Sequence, residues 1–267
     1  MARIEVPLQQ IGFLETRRRD VWWLQPAVVL TILTSFIVYA TWAAFQNAHY
    51  HFGNYLSPMY SPEIWGASEH ALLGGKPGWW PGWLPFSPAL IILPFPAMFR
   101  FTCYYYRGAY YKAMWADPPA CTVGEPRSSY LGENSFPLIL QNVHRYFLYA
   151  TMPLLAFLAH DAWRAMWFVD PATGAERFGI GVGTIVLTAN VTLLSGYSFG
   201  CHSFRHRIGG HLDTLSKHPI RSKLYDCSSC LNRGHMRWAW CSLIVVAFSD
   251  LYVRLCSMGI WTDWRLF

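Results

Sequence analysis

Between Val21 and Gln46 the chain is apolar almost throughout, a run of about 25 residues. At about 1.5 Å of rise per residue, a helix of that length crosses a hydrocarbon core of roughly 30 Å. Trp22, Trp23 and Trp42 mark its two ends, where an indole ring can keep one edge wet and its body in lipid. No small-residue cleavage site follows Arg17-Arg18-Arg19, so the run reads as a membrane helix with a basic anchor, not as a signal peptide. The rest of the composition agrees. Only 13% of residues are charged, against about 25% in soluble domains, and 17% are aromatic.

Four further segments extend the pattern, at 86–106, 138–168, 178–204 and 235–258. The expected fold is an all-α integral membrane protein: one domain over 1–267, with five transmembrane helices in a bundle. Pro88, Pro94 and Pro96 are expected to bend the outer half of the second helix. Basic residues set the orientation. The segments between helices two and three (107–137) and four and five (205–234), with the N-terminal arm, hold most of the 21 Lys and Arg. The outer loop 47–85 carries only Lys76, and the other outer segments carry Arg177 and Arg265. By the positive-inside rule the N-terminus is cytoplasmic and the C-terminus external. The net charge of +6 then reflects membrane sidedness and needs no nucleic acid. The 107–137 loop, with Asp117, Glu125, Arg127 and Glu133 among its charges and Pro118, Pro119 and Pro126 to order it, has the mixed character of a docking surface.

The chemistry concentrates at the fourth-to-fifth crossover. Three of the seven cysteines and five of the ten histidines lie between Gly200 and His235. His202 and His206, four apart, project from one side of a continued helix, and Gly209-Gly210 is expected to end that helix. Cys201 precedes the pair, and Cys227, Cys230 and His235 close the stretch. Two sulfurs and two imidazoles suit either a Rieske-type 2Fe-2S centre or tetrahedral zinc. The plainer alternative is that these histidines bond helix ends and neutralise lipid phosphates. His160, beside Asp161 within a membrane segment, reads as an axial haem ligand, a proton carrier, or a histidine satisfied by its neighbour. Asp250 and Arg254, four apart, read as an internal salt bridge. The remaining cysteines, at 103, 121, 241 and 256, read as small buried hydrophobes.

These residues carry a resemblance. The stretches Phe99-Arg100-Phe101-Thr102-Cys103-Tyr104-Tyr105-Tyr106-Arg107 and Phe136–Tyr146, then Gly200-Cys201-His202-Ser203 and His235-Met236…Ala239-Trp240, are similar to the single-chain membrane anchor of bacterial succinate dehydrogenases (complex II). The similarity runs from about Val21 to the C-terminus and is strongest to the actinobacterial class, whose anchor carries a membrane-embedded Rieske-type 2Fe-2S cluster in place of haem b. It implies a multi-pass protein of the bacterial inner membrane that docks an iron–sulfur subunit, itself fed by a succinate-oxidising flavoprotein, within a complex that can form higher oligomers. Electrons would pass to a quinone, menaquinone or ubiquinone. The metal ligands would come from Cys201, His202, His206, Cys227, Cys230 and His235. Gln141, His144 and Arg145, near the inner end of helix three, would bind the quinone. The soluble Rieske spacing is not kept: Cys201 and His202 are adjacent, and the second half is C-x-x-C. In a haem b variant His144 or His160 would be the axial ligand. The competing enzyme class is a di-iron membrane oxygenase, a desaturase or hydroxylase, for which His202 and His206 resemble one histidine box, although no His-His pair completes the set.

Overall fold

The computed structural model describes residues 12–116, 118–125, 132, 134–136, 138–170 and 173–267. Of the charged and proline positions singled out above, Asp117, Pro126, Arg127 and Glu133 lie outside them. The first helix, α1 (Leu24–Gln46), follows the apolar run, and most of its surface is open, as suits a lipid-facing rod. The segment expected to be one helix over 86–106 is broken. Pro88 begins α2 (Pro88–Ile92), and Pro94 begins α3 (Pro94–Phe101) one residue after α2 ends. Proline is tolerated at a helix start because its missing N–H has no intrahelical partner there. A single turn, α4 (Tyr104–Tyr106), then runs into a π-helical stretch from Arg107 to Ala116, inside what the sequence suggested was loop.

Between β1 (His51–Phe52) and β2 (Tyr55–Leu56) the outer loop makes a tight antiparallel hairpin. The third predicted helix opens with a 3-10 turn over Leu138–Val143 and is α-helical from His144 to Arg164, as α5. Its last residues instead enter a second hairpin, β3 (Trp167–Val169) with β4 (Glu176–Phe178), where a simple turn was expected. Helix α6 (Val182–Phe199) is shorter than the predicted 178–204 and stops at Gly200. The segment 205–234, expected to be loop beyond the helical extension, is largely helical: α7 (His202–Gly209), then α8 (Pro219–Arg233). Helix α9 (His235–Ser257) matches the fifth prediction. Among the described residues three helices, α1, α6 and α9, are long and apolar enough to cross a membrane.

The chain forms two compact units. In the first, residues 12–37 with 100–144, the N-terminal segment pairs with the chain near Val123 through Leu14 N–H to Gly124 O (3.0 Å) and Gly124 N–H to Glu15 O (2.9 Å). Phe101 stacks on Tyr111 at 4.7 Å. In the second, residues 38–99 with 145–267, α6 lies along α9, and Tyr55, Ala162, Ala165, Leu187 and Val253 form a buried cluster beside them.

Lipid is as apolar as leucine, so burial alone does not hold membrane helices together; close packing and polar contacts share that role. Buried Asp250 on α9 accepts hydrogen bonds from Tyr39 on α1 (2.6 Å) and from Ser57 in the outer loop. Arg254, one turn on, pairs with Asp250 at 3.4 Å and donates to the Ala48 carbonyl (2.9 Å), as the four-residue spacing implied. Asp263 gathers Tyr55 OH (2.7 Å), Tyr252 OH (2.6 Å) and Gly183 N–H (2.8 Å), tying the C-terminal segment to α6 and α9.

Candidate redox site

The site begins where α6 ends. At Gly200 the chain leaves the helix, and Cys201, buried and extended (φ −70°, ψ 141°), becomes the N-cap of α7. Helix α8 lies against this corner. Ser228 donates to Phe199 O (2.8 Å) and Asn232 to Gly200 O (2.7 Å), satisfying carbonyls that the end of α6 leaves without intrahelical donors. The guanidinium of Arg221 does the same for α7, donating to Ile208 O (2.7 Å) and Gly210 O (3.0 Å).

On α7 the rings of His202 and His206 lie 4.2 Å apart between centroids, tilted at 70°, and both side chains are exposed. Burial first, then the neighbouring His206 and Arg205, hold His202 below the usual histidine range. The ring therefore stays neutral near pH 7, and a neutral imidazole is the form that binds a metal. Cys227 and Cys230, three apart on α8, are both exposed. Ser228, Leu231 and Asn232 occupy the side of α8 that faces the end of α6; Cys230 falls on the opposite side, and Cys227 at the edge beside Leu231. His235 opens α9 and stacks on Tyr197 at 5.0 Å, nearly parallel.

The convergence of all six expected ligands is not assembled. Among the described residues no three His, Cys, Asp or Glu side chains gather closely enough to hold one metal ion. Donor chemistry fits a Rieske-type cluster in part: His202 and His206 present its nitrogen half, whereas the sulfurs do not join them. Helical α8 is the reason, because it fixes the C-x-x-C pair on a face that the loop expected from sequence would have left free to turn. The haem ligands expected as alternatives are sixteen residues apart on α5, about 24 Å at helical rise, so one iron cannot take both His144 and His160. His160 pairs with Asp161 at 3.5 Å, the satisfied-neighbour arrangement.

A second polar cluster lies in the first unit. His144 is buried, its Nδ1 3.0 Å from Thr102 Oγ1. Gln141 Oε1 accepts from Arg107, which is buried and lies over the Tyr104 ring at 4.6 Å. Arg145, in the second unit, is exposed, over the ring of Tyr146 at 5.2 Å. Sequence reasoning missed Arg107 and Tyr111. The Tyr111 hydroxyl is buried with no hydrogen-bond partner among the described residues, and burial pushes its pKa up to about 12 against the pull of Arg107. The signal was available in the sequence: a basic residue and tyrosines spaced along one helical stretch after a membrane segment.

Comparison with known proteins gives this geometry its context. Residues 24–259 match the model of the family described as actinobacterial succinate dehydrogenase subunit SdhC. Among solved structures the chain is similar to one from the Mycobacterium smegmatis Sdh1 complex in the apo form, at 41% identity and a TM-score of 0.85, over 98% of this chain and 97% of that one. No curated protein matches. The match takes in nearly every described helix and replaces the oxygenase alternative: the chain belongs to the actinobacterial succinate dehydrogenase subunit SdhC family, and is a membrane subunit of that oxidoreductase.

Proposed function

We propose that this subunit anchors the succinate-oxidising subunits to the membrane and carries electrons from them to a quinone, through a redox centre at the α6–α7 corner. The observation that carries the reading is the pair of imidazoles on α7, 4.2 Å apart, directly after the break at Gly200-Cys201. A 2Fe-2S cluster, when bound, supplies one-electron transfer. His202 and His206 would hold its nitrogen side, and its sulfur side would be two of Cys201, Cys227 and Cys230. The likeness to a chain of the Sdh1 complex supports docking to iron–sulfur and flavoprotein partners. The asymmetry of basic residues supports five crossings with the N-terminus inside, α5 and the broken α2–α3 segment completing the three longer helices.

Quinone reduction needs a hydrogen-bond donor at a carbonyl and a source of protons. Gln141, His144 and Arg145 supply such groups, with Arg107 bonded to Gln141 and Tyr111 on the same helical stretch as Arg107. Tyr111 is the donor whose own bonding is left open, so a carbonyl oxygen would complete it.

Low-temperature EPR of the purified, reduced complex tests the centre. Cys227→Ser or His202→Ala is expected to abolish the signal assigned to it, with the variant still inserted in the membrane. An unchanged spectrum in both variants removes these residues from the site.

A further inference from the structure

Near the start of α5 two arginines stand over two tyrosines. Tyr146 and Tyr149, three apart, share one face of the helix. The guanidinium of Arg145 lies over the Tyr146 ring at 5.2 Å, and Arg207 reaches from α7 to lie over Tyr149 at 5.9 Å. Both distances suit a cation–π contact. A guanidinium held over a ring keeps its N–H groups for another acceptor.

Neither cation is neutralised. Among the described residues neither meets a carboxylate or a hydrogen-bond acceptor. The sequence offers no acid nearby: 138–159 and 201–212 hold no Asp or Glu, and the first to follow is Asp213. The Tyr146 and Tyr149 side chains are 58% and 50% exposed, and their hydroxyls also lack a partner among the described residues. Two cations and two phenols on one open face form a donor set for phosphate, whose oxygens arginine matches with paired N–H groups.

Position selects the source of that phosphate. Tyr149 lies five residues into α5, about 7.5 Å past its start, so the donors sit on the flank of the helix. The next open positions on this flank, Pro153 and Ala156, are apolar. A soluble anion gains nothing from such a flank, and a protein partner arriving from water meets the helix end first. A phospholipid places its phosphate beside the last turn of a crossing helix and lays its acyl chains along the side.

We propose that Arg145, Arg207, Tyr146 and Tyr149 bind the phosphate of an anionic phospholipid of the inner leaflet. Arg145 is shared with the quinone reading, so the test turns on Arg207. The inference rests on the reading that α5 crosses the bilayer with this end inside, which the sidedness of Cys121 and Cys227 tests without a lipid probe.

The experiment is photolabelling of the whole complex in phosphatidylcholine nanodiscs, with a trace of phosphatidylglycerol carrying a diazirine in its head group. Label is expected on the peptides covering 144–152 and 202–209. Excess unlabelled phosphatidylglycerol should reduce it at least fivefold, while added phosphatidylcholine or inorganic phosphate should leave it unchanged. Arg207→Gln removes one exposed cation and is expected to cut labelling roughly fivefold, the worth of one basic residue at an anionic surface, without moving the thermal midpoint. Tyr149→Phe keeps the ring under Arg207, loses only the hydroxyl, and is expected to give a smaller cut. Lys76→Gln, an equal loss of charge in the 47–85 loop, is expected to change nothing. Absence of label from both peptides overturns the inference, as when the iron–sulfur subunit covers this face. Equal competition by phosphatidylcholine overturns it in favour of unselective lipid contact, and equal competition by inorganic phosphate in favour of a free anion. Wild-type labelling in both Arg207→Gln and Tyr149→Phe overturns it as well.

Discussion

At the scale of single residues, the ion pair of Asp250 and Arg254 is the most exacting feature of the second unit. Both side chains are at most 3% exposed, and the acid also takes the hydroxyls of Tyr39 and Ser57. Removing one partner of a buried pair strands the other charge, which costs about 3–5 kcal/mol. Asp250→Ala is therefore expected to lower the unfolding midpoint in detergent by about 10 °C, at roughly 2–4 °C per kcal/mol for a chain of this size. The double variant Asp250→Asn with Arg254→Met removes both charges together and is expected to recover most of that loss. A thermal scan in which the double variant melts below Asp250→Ala contradicts this account. The geometry also explains why this ionisable pair inside a membrane helix serves structure: the acid is tied to α1 and to Ser57, and the guanidinium to the acid and to the Ala48 carbonyl.

At the scale of elements, the corner between α6, α7 and α8 depends on one residue without a side chain. A Cβ at Gly200 would stand 2.7 Å from Gly196 O and 3.1 Å from the Leu231 backbone, neither of which can yield as a flexible side chain would. Gly200→Ala is expected to cost about 1–3 kcal/mol. It should also push α8 away, weakening the bonds from Ser228 and Asn232 and raising hydrogen exchange over residues 228–232. Gly78→Ala, with nothing within 4 Å of its added carbon, serves as the control and is expected to change neither quantity.

This corner also shows what a sequence hides. The three long helices are legible because an apolar run in lipid has no alternative to helix. The break at Gly200-Cys201 is not, because the helical pattern resumes at once in α7 and only the packing of α8 shows that the chain has turned. Helix α8 was hidden by its polarity, although Pro219 at its start, Gly234 at its end and Leu224, Ser228 and Leu231 on helical spacing all marked it. The site was legible as a list of ligand types. Its arrangement was not, because the direction of a C-x-x-C pair depends on whether it stands in a loop or, as here, in a helix whose packing fixes it.

At the scale of the whole molecule, the remaining question is which way the chain threads the bilayer, and native cysteines make it measurable. Four cysteines are exposed, among them Cys121 and Cys241, which the sequence suggested were buried; Cys241 lies within α9, whereas Cys121, Cys227 and Cys230 fall in segments whose basic residues argue for the cytoplasmic side. Cys103, Cys201 and Cys256 are buried and will react slowly from either side. A membrane-impermeant maleimide is therefore expected to spare Cys121, Cys227 and Cys230 in intact spheroplasts and to label them in inverted vesicles. Gly78→Cys adds the opposite marker, because residue 78 lies in the 47–85 loop that the basic-residue count argues is outer, with nothing within 4 Å of its added carbon. It should label in spheroplasts and be protected in inverted vesicles. Five crossings require these two patterns together. Labelling of Cys121 and of Gly78→Cys from the same side would mean that the broken α2–α3 segment does not span, and labelling of Cys121 and Cys227 from opposite sides would remove the crossing assigned to either α5 or α6. The positive-inside argument predicts neither, because Lys76 is the lone basic residue of the outer loop while Arg205, Arg207, Arg221 and Lys223 crowd the segment that carries α7 and α8.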